Sequence, residues 1–316
     1  MTVNSTDWPA ADFEAQRGHL RSVAYRMLGS LTDADDAVQE AWLRLSRADT
    51  GDVRDLRAWL TTVVSRVCLD MLRSRVARRE DSLDVHVPDP IVTRVDDDPA
   101  EHAVLADSIG IALLVVLDTL SPTERLAFVL HDIFALPFEQ IGVILDRSPA
   151  AAKQLASRAR RRLRDTPPRA AADPAVPGSA SAGTGTKPAG SADLTRQWSV
   201  VEAFLAASRD GDFEGLLAIL DPDVVLRADA GAGPFAPSVL IRGASEVVAQ
   251  AQRFAPLGRF ARPVLVNGGP GFLIARDGEP LALMALTVHD GKVTEMDILA
   301  DPARLAALDL TAVIDT

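Results

Sequence analysis

The residues best suited to bind a nucleic acid lie in one basic segment, PAAAKQLASRARRRLR at 149–164. Its polar and cationic side chains include Lys153, Gln154, Ser157, Arg158, Arg160 and Arg161. Arginine and lysine suit guanine edges and phosphates, and glutamine suits adenine. Residues 147–169 hold eight Lys or Arg against one acid, Asp165, in a chain of net charge −11. A helix that ends in arginines is also typical of a solvated face with favourable dipole charges, so both interpretations stay open at this point.

Two short helices joined by a tight turn must position this segment. The apolar residues of the first recur at helical spacing: Phe138, Ile141, Ile144 and Leu145. Ser148 is a good N-cap for the second helix, and Pro149 suits its first position because no N–H is needed there. Leu155, Ala159 and Leu163 predict its apolar stripe. The pattern indicates a helix-turn-helix, whose second helix can enter the major groove of DNA.

An acidic helix face lies far upstream, in LTDADDAVQEAWLRL at 31–45. We expect Thr32 to cap this helix, with acids in the first turn where the helix dipole favours them. The residues expected inside are Val38, Ala41, Trp42 and Leu45, and those expected outside include Asp35, Asp36, Gln39 and Glu40.

A longer helix is predicted from about 56 to 79, with Trp59, Val63, Val67 and Met71 as its core stripe. Cationic residues decorate the rest of it, among them Arg66, Arg73 and Arg75. We expect Trp59 to lie in the core and to be unavailable for base stacking.

Composition excludes several classes of protein. The single cysteine, Cys68, cannot form an intramolecular disulfide, and its apolar neighbours predict a small buried side chain rather than a nucleophile. The polar N-terminus predicts no signal peptide. The longest apolar run, IGIALLVVL at 109–117, is too short to span a bilayer and predicts a core helix. We therefore expect a cytoplasmic protein without membrane association, and we predict no metal site and no cofactor.

Two stretches differ in composition from the segments around them. Residues 80–107 carry nine acids against one base, Arg94, and predict an extended, partly ordered acidic linker. Residues 166–192 are rich in proline, glycine and alanine and predict a flexible tether.

The segment after the tether predicts an α+β domain. Two helices at its start are followed by strand-like runs, and the helix GASEVVAQAQRF interrupts them. The last two strands join through Asp290-Gly291, a strong hairpin signal. VNGGPG at 266–271 lacks the spacing of a nucleotide-binding loop and predicts a tight turn.

Three N-terminal stretches resemble regions two and four of extracytoplasmic-function sigma factors. They are LTDADDAVQEAWLRL (31–45), RAWLTTVVSRVCLDMLRSR (57–75) and LSPTERLAFVLHDIFALPFEQIGVILDRSPAAAKQLASRARRRLR (120–164), and they stand in the family's order and spacing. The resemblance implies region two at 10–79, the acidic linker at 80–107, region four at 108–165 and the tether at 166–192. The expected fold is two all-α domains followed by the α+β domain.

The resemblance also implies partners and roles. Asp35, Asp36, Gln39 and Glu40 would bind the clamp helices of the largest subunit of RNA polymerase core. Arg66, Arg73 and Arg75 would hold the minus-ten element of promoter DNA. The six residues of 149–164 named first would contact the minus-thirty-five element, with Arg160 and Arg161 on phosphates.

Residues 193–301 resemble a SnoaL-like domain of the cone-shaped α+β barrel type, through DGDFEGLLAILDPDVVL, IRGASEVV, VNGGPGFL and HDGKV. A subgroup of these sigma factors carries such an extension, together with a WLPEP-like motif in the linker and an NPDKL-like motif near the end of the chain. Here the corresponding stretches are VHVPDPIV and ADPARL. We expect the extension to regulate sigma activity in cis, with a possible small ligand in the cone, and to be no enzyme. The alternative is a ligand-binding or catalytic isomerase-like or cyclase-like module, with Asp229, His289, Glu295 and Asp297 as candidates. Glu295 and Asp297 share a strand face, so both could point into the cone.

Overall fold

The computed structural model describes residues 10–48, 53, 55–78, 85–95, 110–165 and 191–314. These divide into two compact units. The described part of the first unit is 10–81 without its gaps together with 117–165, and that of the second is 85–116 without its gap together with 191–314. The described residues 85–95 of the acidic linker therefore belong to the same unit as the C-terminal domain.

The first unit is helical throughout its described residues. Its elements are α1 (Ala10–Leu28), α2 (Leu31–Leu45), α3 (Leu56–Arg78), the end of α4 (Ile111–Asp118), α5 (Pro122–Phe128), a π-helical turn (Val129–Ile133), α6 (Phe138–Leu145) and α7 (Pro149–Asp165). Gly29 ends α1 at a φ of 68°, and its N–H donates to the carbonyl of Tyr25. Such a left-handed ending favours glycine because it lacks a Cβ.

Two details of these helices differ from the prediction. Ser30, not Thr32, caps α2, because its hydroxyl oxygen accepts from the N–H of Asp33 at 3.3 Å. The buried side of α3 is shifted by one position from the predicted stripe and runs through Leu60, Val64, Val67, Cys68 and Leu72. Both runs are apolar at helical spacing, so periodicity alone could not choose between them.

The helix-turn-helix forms as predicted. Ser148 caps α7, since its Oγ accepts from the N–H of Ala151 at 3.2 Å. Asp146 ends α6 in the left-handed conformation, and a Cβ at Gly142 would lie 2.7 Å from the carbonyl oxygen of Arg147. The turn between the two helices therefore needs a glycine at position 142.

The second unit is an α+β domain. Its further elements are α8 (Ser191–Asp210), α9 (Phe213–Ile219), β2 (Leu220–Asp229), β3 (Val239–Arg242), α10 (Ala244–Phe254), a 3-10 turn (Ala255–Phe260), β4 (Ala261–Val266), β5 (Gly269–Arg276), β6 (Glu279–His289), β7 (Lys292–Leu299), α11 (Pro302–Ala306) and α12 (Thr311–Ile314). Asp290 and Gly291 both have positive φ in the β6–β7 hairpin, and Asn267 and Gly268 do so between β4 and β5. Both turn predictions are confirmed.

Part of the acidic linker is a strand of this sheet. Residues Val92–Thr93 form β1, which pairs antiparallel with β4 in a sheet of order β1-β4-β5-β6-β7-β2-β3. Only β2 and β7 among these neighbours run parallel. The predicted fold class is confirmed, whereas 80–84, 96–107 and 166–190 of the predicted linker and tether lie outside the described residues.

Across the described part of the chain, no helix combines the length and the hydrophobicity that a bilayer span requires.

Candidate nucleic-acid interface

Helix α7 presents its polar side chains to solvent. Lys153, Gln154, Ser157, Arg158 and Arg161 are exposed, and Arg160 is half-buried. The opposite side is buried through Ala152, Ala156, Ala159 and Leu163, while Leu155 of the predicted stripe is only half-buried. Small alanines let α7 pack closely, which leaves its long polar side chains on one accessible face.

Two buried acids hold arginines of α7 in place. Arg160 Nε donates to Asp132 Oδ1 at 2.7 Å, and Arg162 lies 3.0 Å from Glu124. Arg158 Nε also reaches Glu124, at 3.3 Å. Burial alone would raise the pKa of Glu124, but hydrogen bonds from Ser121 and the charges of Arg162 and Arg158 lower it. Asp132 is 8% exposed. The two acids therefore orient part of the basic face.

Helix α2 carries the predicted acidic face, and its members differ in their surroundings. Asp36 and Gln39 are exposed. Asp35 pairs with Arg21 of α1 at 2.6 Å, and Glu40 pairs with Arg44 at 2.9 Å. A partner that binds this face must therefore compete with two surface ion pairs, each of which contributes little.

The three arginines predicted on α3 lie in different places. Arg73 is exposed and lies 3.7 Å from Asp70. Arg75 donates to the carbonyl of Leu28 at 2.9 Å and pairs with Asp33, so it ties α3 to the α1–α2 turn. Arg66 Nη2 donates to the carbonyl of Val143 in α6 at 2.8 Å.

The prediction that Trp59 is a core residue is wrong, because its side chain is only half-buried. Its position falls on the helix face of Val63, Arg66 and Arg73, since the steps between them are four, three and seven residues. The face of α3 that carries two of the predicted cations therefore also carries an aromatic ring.

The N-terminal helices pack directly on the helix-turn-helix half of their unit. Phe134 stands edge-on to His19, with ring centroids 5.6 Å apart, and lies under the guanidinium of Arg26. Burial, followed by the charges of Arg57 and Arg26, lowers the pKa of His19 to about 4. Cys68 is fully buried, and burial raises the pKa of its thiol to about 12. This thiol is inert at neutral pH, as predicted.

One arginine makes several of the contacts between the linker and the C-terminal domain. Arg304 of α11 donates from Nη2 to the carbonyl of Val87 at 2.6 Å, binds Asp89 through Nε at 3.0 Å, and binds Asp229 through Nη1 at 2.7 Å. Asp229 also accepts from the N–H of Val87 at 3.2 Å and lies 3.3 Å from His86. We call this set of contacts the linker clasp. Burial would raise the pKa of Asp229, but the hydrogen bonds from His86 and Val87 and the charge of Arg304 lower it.

A second contact lies at the β4–β5 turn. The Oδ1 of Asn267 accepts from the N–H of Ile91 at 2.8 Å, and the N–H of Asn267 donates to the carbonyl of Ile91 at 2.8 Å. Val87, Pro88 and Pro90 are buried. The stretches VHVPDPIV and ADPARL thus meet within one unit.

The sheet also walls an apolar cavity of about 120 Å³. Leu226, Ala228, Met296 and Ile298 line it. Because side chains alternate along a strand, Arg227, Glu295 and Asp297 lie on the other face of the sheet. The prediction that Glu295 and Asp297 could point into the cone is wrong, because the intervening residues take the inward positions.

The remaining catalytic candidates do not line the cavity either. Asp229 belongs to the linker clasp, and His289 is exposed beside Asp290 in the β6–β7 turn. On the outer face, Arg227 Nη1 lies 3.1 Å from Glu295 and 3.0 Å from Asp297. Burial and the charge of Asp297 raise the pKa of Glu295 to about 7. Among the described residues, no cluster of three or more side chains is arranged to hold a metal ion.

Comparison with known proteins covers nearly the whole chain. Residues 13–78 match the profile of Sigma-70 region 2, and residues 111–163 match Sigma-70, region 4. The ECF RNA polymerase sigma factor SigJ of Mycobacterium tuberculosis (strain ATCC 25618 / H37Rv) is 41% identical over 95% of this chain and 94% of its own length. The probable ECF RNA polymerase sigma factor SigI of the same species (strain CDC 1551 / Oshkosh) is 35% identical over 97% and 98%. The crystal structure of M. tuberculosis SigJ matches 96% of this chain and 100% of that one, with a TM-score of 0.71 and 36% identity.

Proposed function

The chain belongs to the extracytoplasmic-function sigma factors of RNA polymerase, which direct promoter-specific initiation of transcription, and we propose that its C-terminal domain restrains this activity by holding the acidic linker. The observation that carries the proposal is the linker clasp, in which Arg304 binds both a backbone carbonyl and a carboxylate of the linker.

The restraint follows from distances on promoter DNA. The minus-ten and minus-thirty-five elements lie about 25 base pairs apart, which is roughly 85 Å at 3.4 Å per base pair. Regions two and four must separate to occupy both elements, although Arg66 and Phe134 join them in one compact unit. The linker is the covalent connection between the two regions, and its clasped residues 85–95 cannot extend to span the promoter. Release of the linker therefore favours the promoter-binding form.

We assign the individual contacts on the same basis. Lys153, Gln154, Ser157 and Arg158 are proposed to face base edges and phosphates of the minus-thirty-five element, and the exposure of their side chains supports this. Arg161 is proposed to bind phosphate, whereas Arg160 is proposed to act mainly through its ion pair with Asp132.

On region two, Asp36 and Gln39 are proposed as the main contacts to the polymerase clamp helices, with Asp35 and Glu40 at their sides. Arg73 and the half-buried Trp59 are proposed to hold the unpaired minus-ten strand, since cations and aromatic rings together suit single-stranded DNA. Arg66 is proposed to exchange its contact with Val143 for DNA when the regions separate. Arg75 is proposed to support the fold beneath this surface.

The C-terminal domain is proposed to be a binding module rather than an enzyme. The cavity is lined by apolar side chains with Ser208 and Gln250 as the polar exceptions. Among the residues that the structure describes, no carboxylate or imidazole lines it to act as a general acid or base. A small ligand in this cavity is a regulatory signal in this proposal, not a substrate.

The test of the restraint is transcription by core polymerase with Arg304→Gln. This variant removes the guanidinium that binds Val87, Asp89 and Asp229, so we expect promoter-specific output to rise several-fold. Arg276→Gln is the matched control, because Arg276 is an exposed arginine of the same domain that lies beside Asp277. Output from Arg304→Gln that is equal to or below that of wild type and control would count against the restraint.

A further inference from the structure

The apolar cavity and the linker clasp share two segments of chain. Ala230 and Ala300 both line the cavity. Their immediate neighbours are Asp229, which binds Arg304, and Asp301. The N–H of Ala300 also donates to the carbonyl of Asp229 at 2.7 Å, so the two segments are bonded to each other. Two wall residues of the cavity are thus directly attached to the clasp.

Asp301 connects these two segments to the helix that carries Arg304. Its carboxylate accepts from the N–H groups of Ala303 at 2.8 Å and Arg304 at 3.2 Å, and so fixes the start of α11. The loop after Ala230 packs against the same point, because a Cβ at Gly231 would collide with the Asp301 carboxylate and one at Gly233 would lie 2.7 Å from Pro302. A shift of this loop therefore shifts the helix that carries Arg304.

The same loop closes one side of the cavity. Phe235 lines the cavity and stands edge-on to Phe254 of α10, with ring centroids 5.9 Å apart. Phe204 and Phe272 line other walls, and Met284 and Met296 add flexible side chains. Aromatic walls favour a flat ring, and methionines adapt to its outline.

The lining also determines the charge of a ligand. Within the described part of the chain, no charged side chain lines the cavity, and an ionised group without a partner would lose its hydration there. A volume of about 120 Å³ is close to that of an engineered apolar cavity of about 150 Å³ that binds benzene. A single ring fits this volume, and a larger molecule must displace the walls.

We propose that the cavity binds a neutral, apolar ring compound larger than one ring, and that its binding displaces Ala230 and Ala300 and thereby loosens the linker clasp. This inference rests on the proposed function for its effect on transcription, but the coupling between cavity and clasp is a separate property of the domain. Reciprocity requires that opening the clasp also raise the affinity of the cavity for the compound.

The test uses indole as a neutral two-ring probe and indole-3-carboxylate as its charged counterpart, both with the full chain. Calorimetry is expected to detect indole at micromolar to millimolar concentration, and to detect binding of the carboxylate at least tenfold more weakly. Hydrogen exchange of the linker peptide 85–95 is expected to speed up several-fold with saturating indole. Arg304→Gln is expected to bind indole several-fold more tightly than wild type.

Two substitutions test whether the cavity is the site. Ala282→Leu fills it from β6 and Ala251→Leu fills it from α10, and each is expected to weaken indole binding at least tenfold. Ala249→Leu, at an exposed position of α10 that does not line the cavity, is the matched control and is expected to change affinity less than threefold. Binding unaffected by both filling variants, or equal binding of the two probes, overturns the cavity assignment.

The outcomes separate this inference from the proposed function. If indole binds and leaves exchange of 85–95 unchanged, the coupling is wrong, whatever Arg304→Gln does to transcription. If indole loosens the linker but Arg304→Gln leaves transcription unchanged, the coupling stands and the restraint on sigma activity is wrong.

Discussion

At the scale of single residues, Arg160 and Arg161 are neighbours on α7 with different surroundings. Arg160 binds the buried Asp132, whereas Arg161 is exposed and makes no ion pair within the described residues. We expect Arg161→Ala to weaken promoter binding by the holoenzyme and to reduce the slope of log affinity against log salt by about one. We expect Arg160→Ala to leave Asp132 unpaired and to lower the free energy of unfolding by about 1–3 kcal/mol.

Fluorescence anisotropy of a labelled promoter, measured over a series of salt concentrations, decides the first effect, and urea unfolding followed by circular dichroism decides the second. Arg17→Ala is the control, since Arg17 is an exposed arginine of α1 paired with Glu14. A salt slope unchanged by Arg161→Ala would show that this residue does not neutralise a phosphate.

The raised pKa of Glu295 predicts that the stability of the C-terminal domain depends on pH. This pKa is about 7 in the folded protein, above its usual value of about 4.3. Between these two pH values the folded protein therefore holds a proton that the unfolded chain has released. The stability of the domain should therefore decrease as pH rises from about 4.5 to 7, by roughly 1–3 kcal/mol.

Glu295→Gln removes this titration while Asp297 and Arg227 stay in place. Hydrogen exchange of the β7 amides, corrected for intrinsic rates, should become faster from pH 5 to pH 8 in the wild type by more than in the variant. Parallel pH profiles for the two proteins would refute a raised pKa at Glu295.

At the scale of elements, local signals placed most helices and turns. The capping box at Ser121 and Glu124, the cap at Ser148 and the Asp290-Gly291 hairpin all act within a few residues, so the sequence contains their full cause. The basic face of α7 was predictable for the same reason, because helical spacing alone sorts its exposed and buried positions.

Elements that depend on distant partners were missed. The linker strand Val92–Thr93 forms because β4 offers an edge and Asn267 bonds to Ile91, which lies 176 residues earlier in the chain. Acidic composition suggested an extended linker but contained no sign of this edge. The sequence also did not determine which side chains of β7 face the cavity. Glu295 and Met296 are both nearly fully buried, and they differ only in the face of the sheet that they occupy.

The linker strand itself gives a test. Asn267→Ala removes the side-chain bond to Ile91, so we expect hydrogen exchange of the linker peptide 85–95 to speed up about tenfold. Asp277→Ala is a close control, because Asp277 has the same left-handed conformation before a glycine in the next turn of the sheet. The strain of placing an alanine at a positive φ is therefore the same in both variants. Equal effects of the two substitutions on exchange at 85–95 would mean that strain, not the linker contact, is responsible.

At the scale of the whole molecule, we propose that two intramolecular associations oppose promoter binding. Regions two and four pack within one unit, and the linker between them is bound to the C-terminal sheet. Neither association needs a separate inhibitor, since every group involved belongs to this chain. In this proposal, the binding of core polymerase and promoter DNA must contribute more free energy than the two associations together. Loss of the clasp lowers the free energy that binding has to supply.

Separation of regions two and four can be measured by energy transfer between dyes on Ser74→Cys of α3 and Glu139→Cys of α6, both exposed positions. Cys68 stays unlabelled because it is buried and its pKa is raised. If the two associations restrain the sigma regions, transfer efficiency should be high in the free protein, almost completely lost in the complex with core polymerase and promoter, and partly lost in free Arg304→Gln. High efficiency retained in the transcribing complex, or identical efficiency in free wild type and Arg304→Gln, would contradict this restraint.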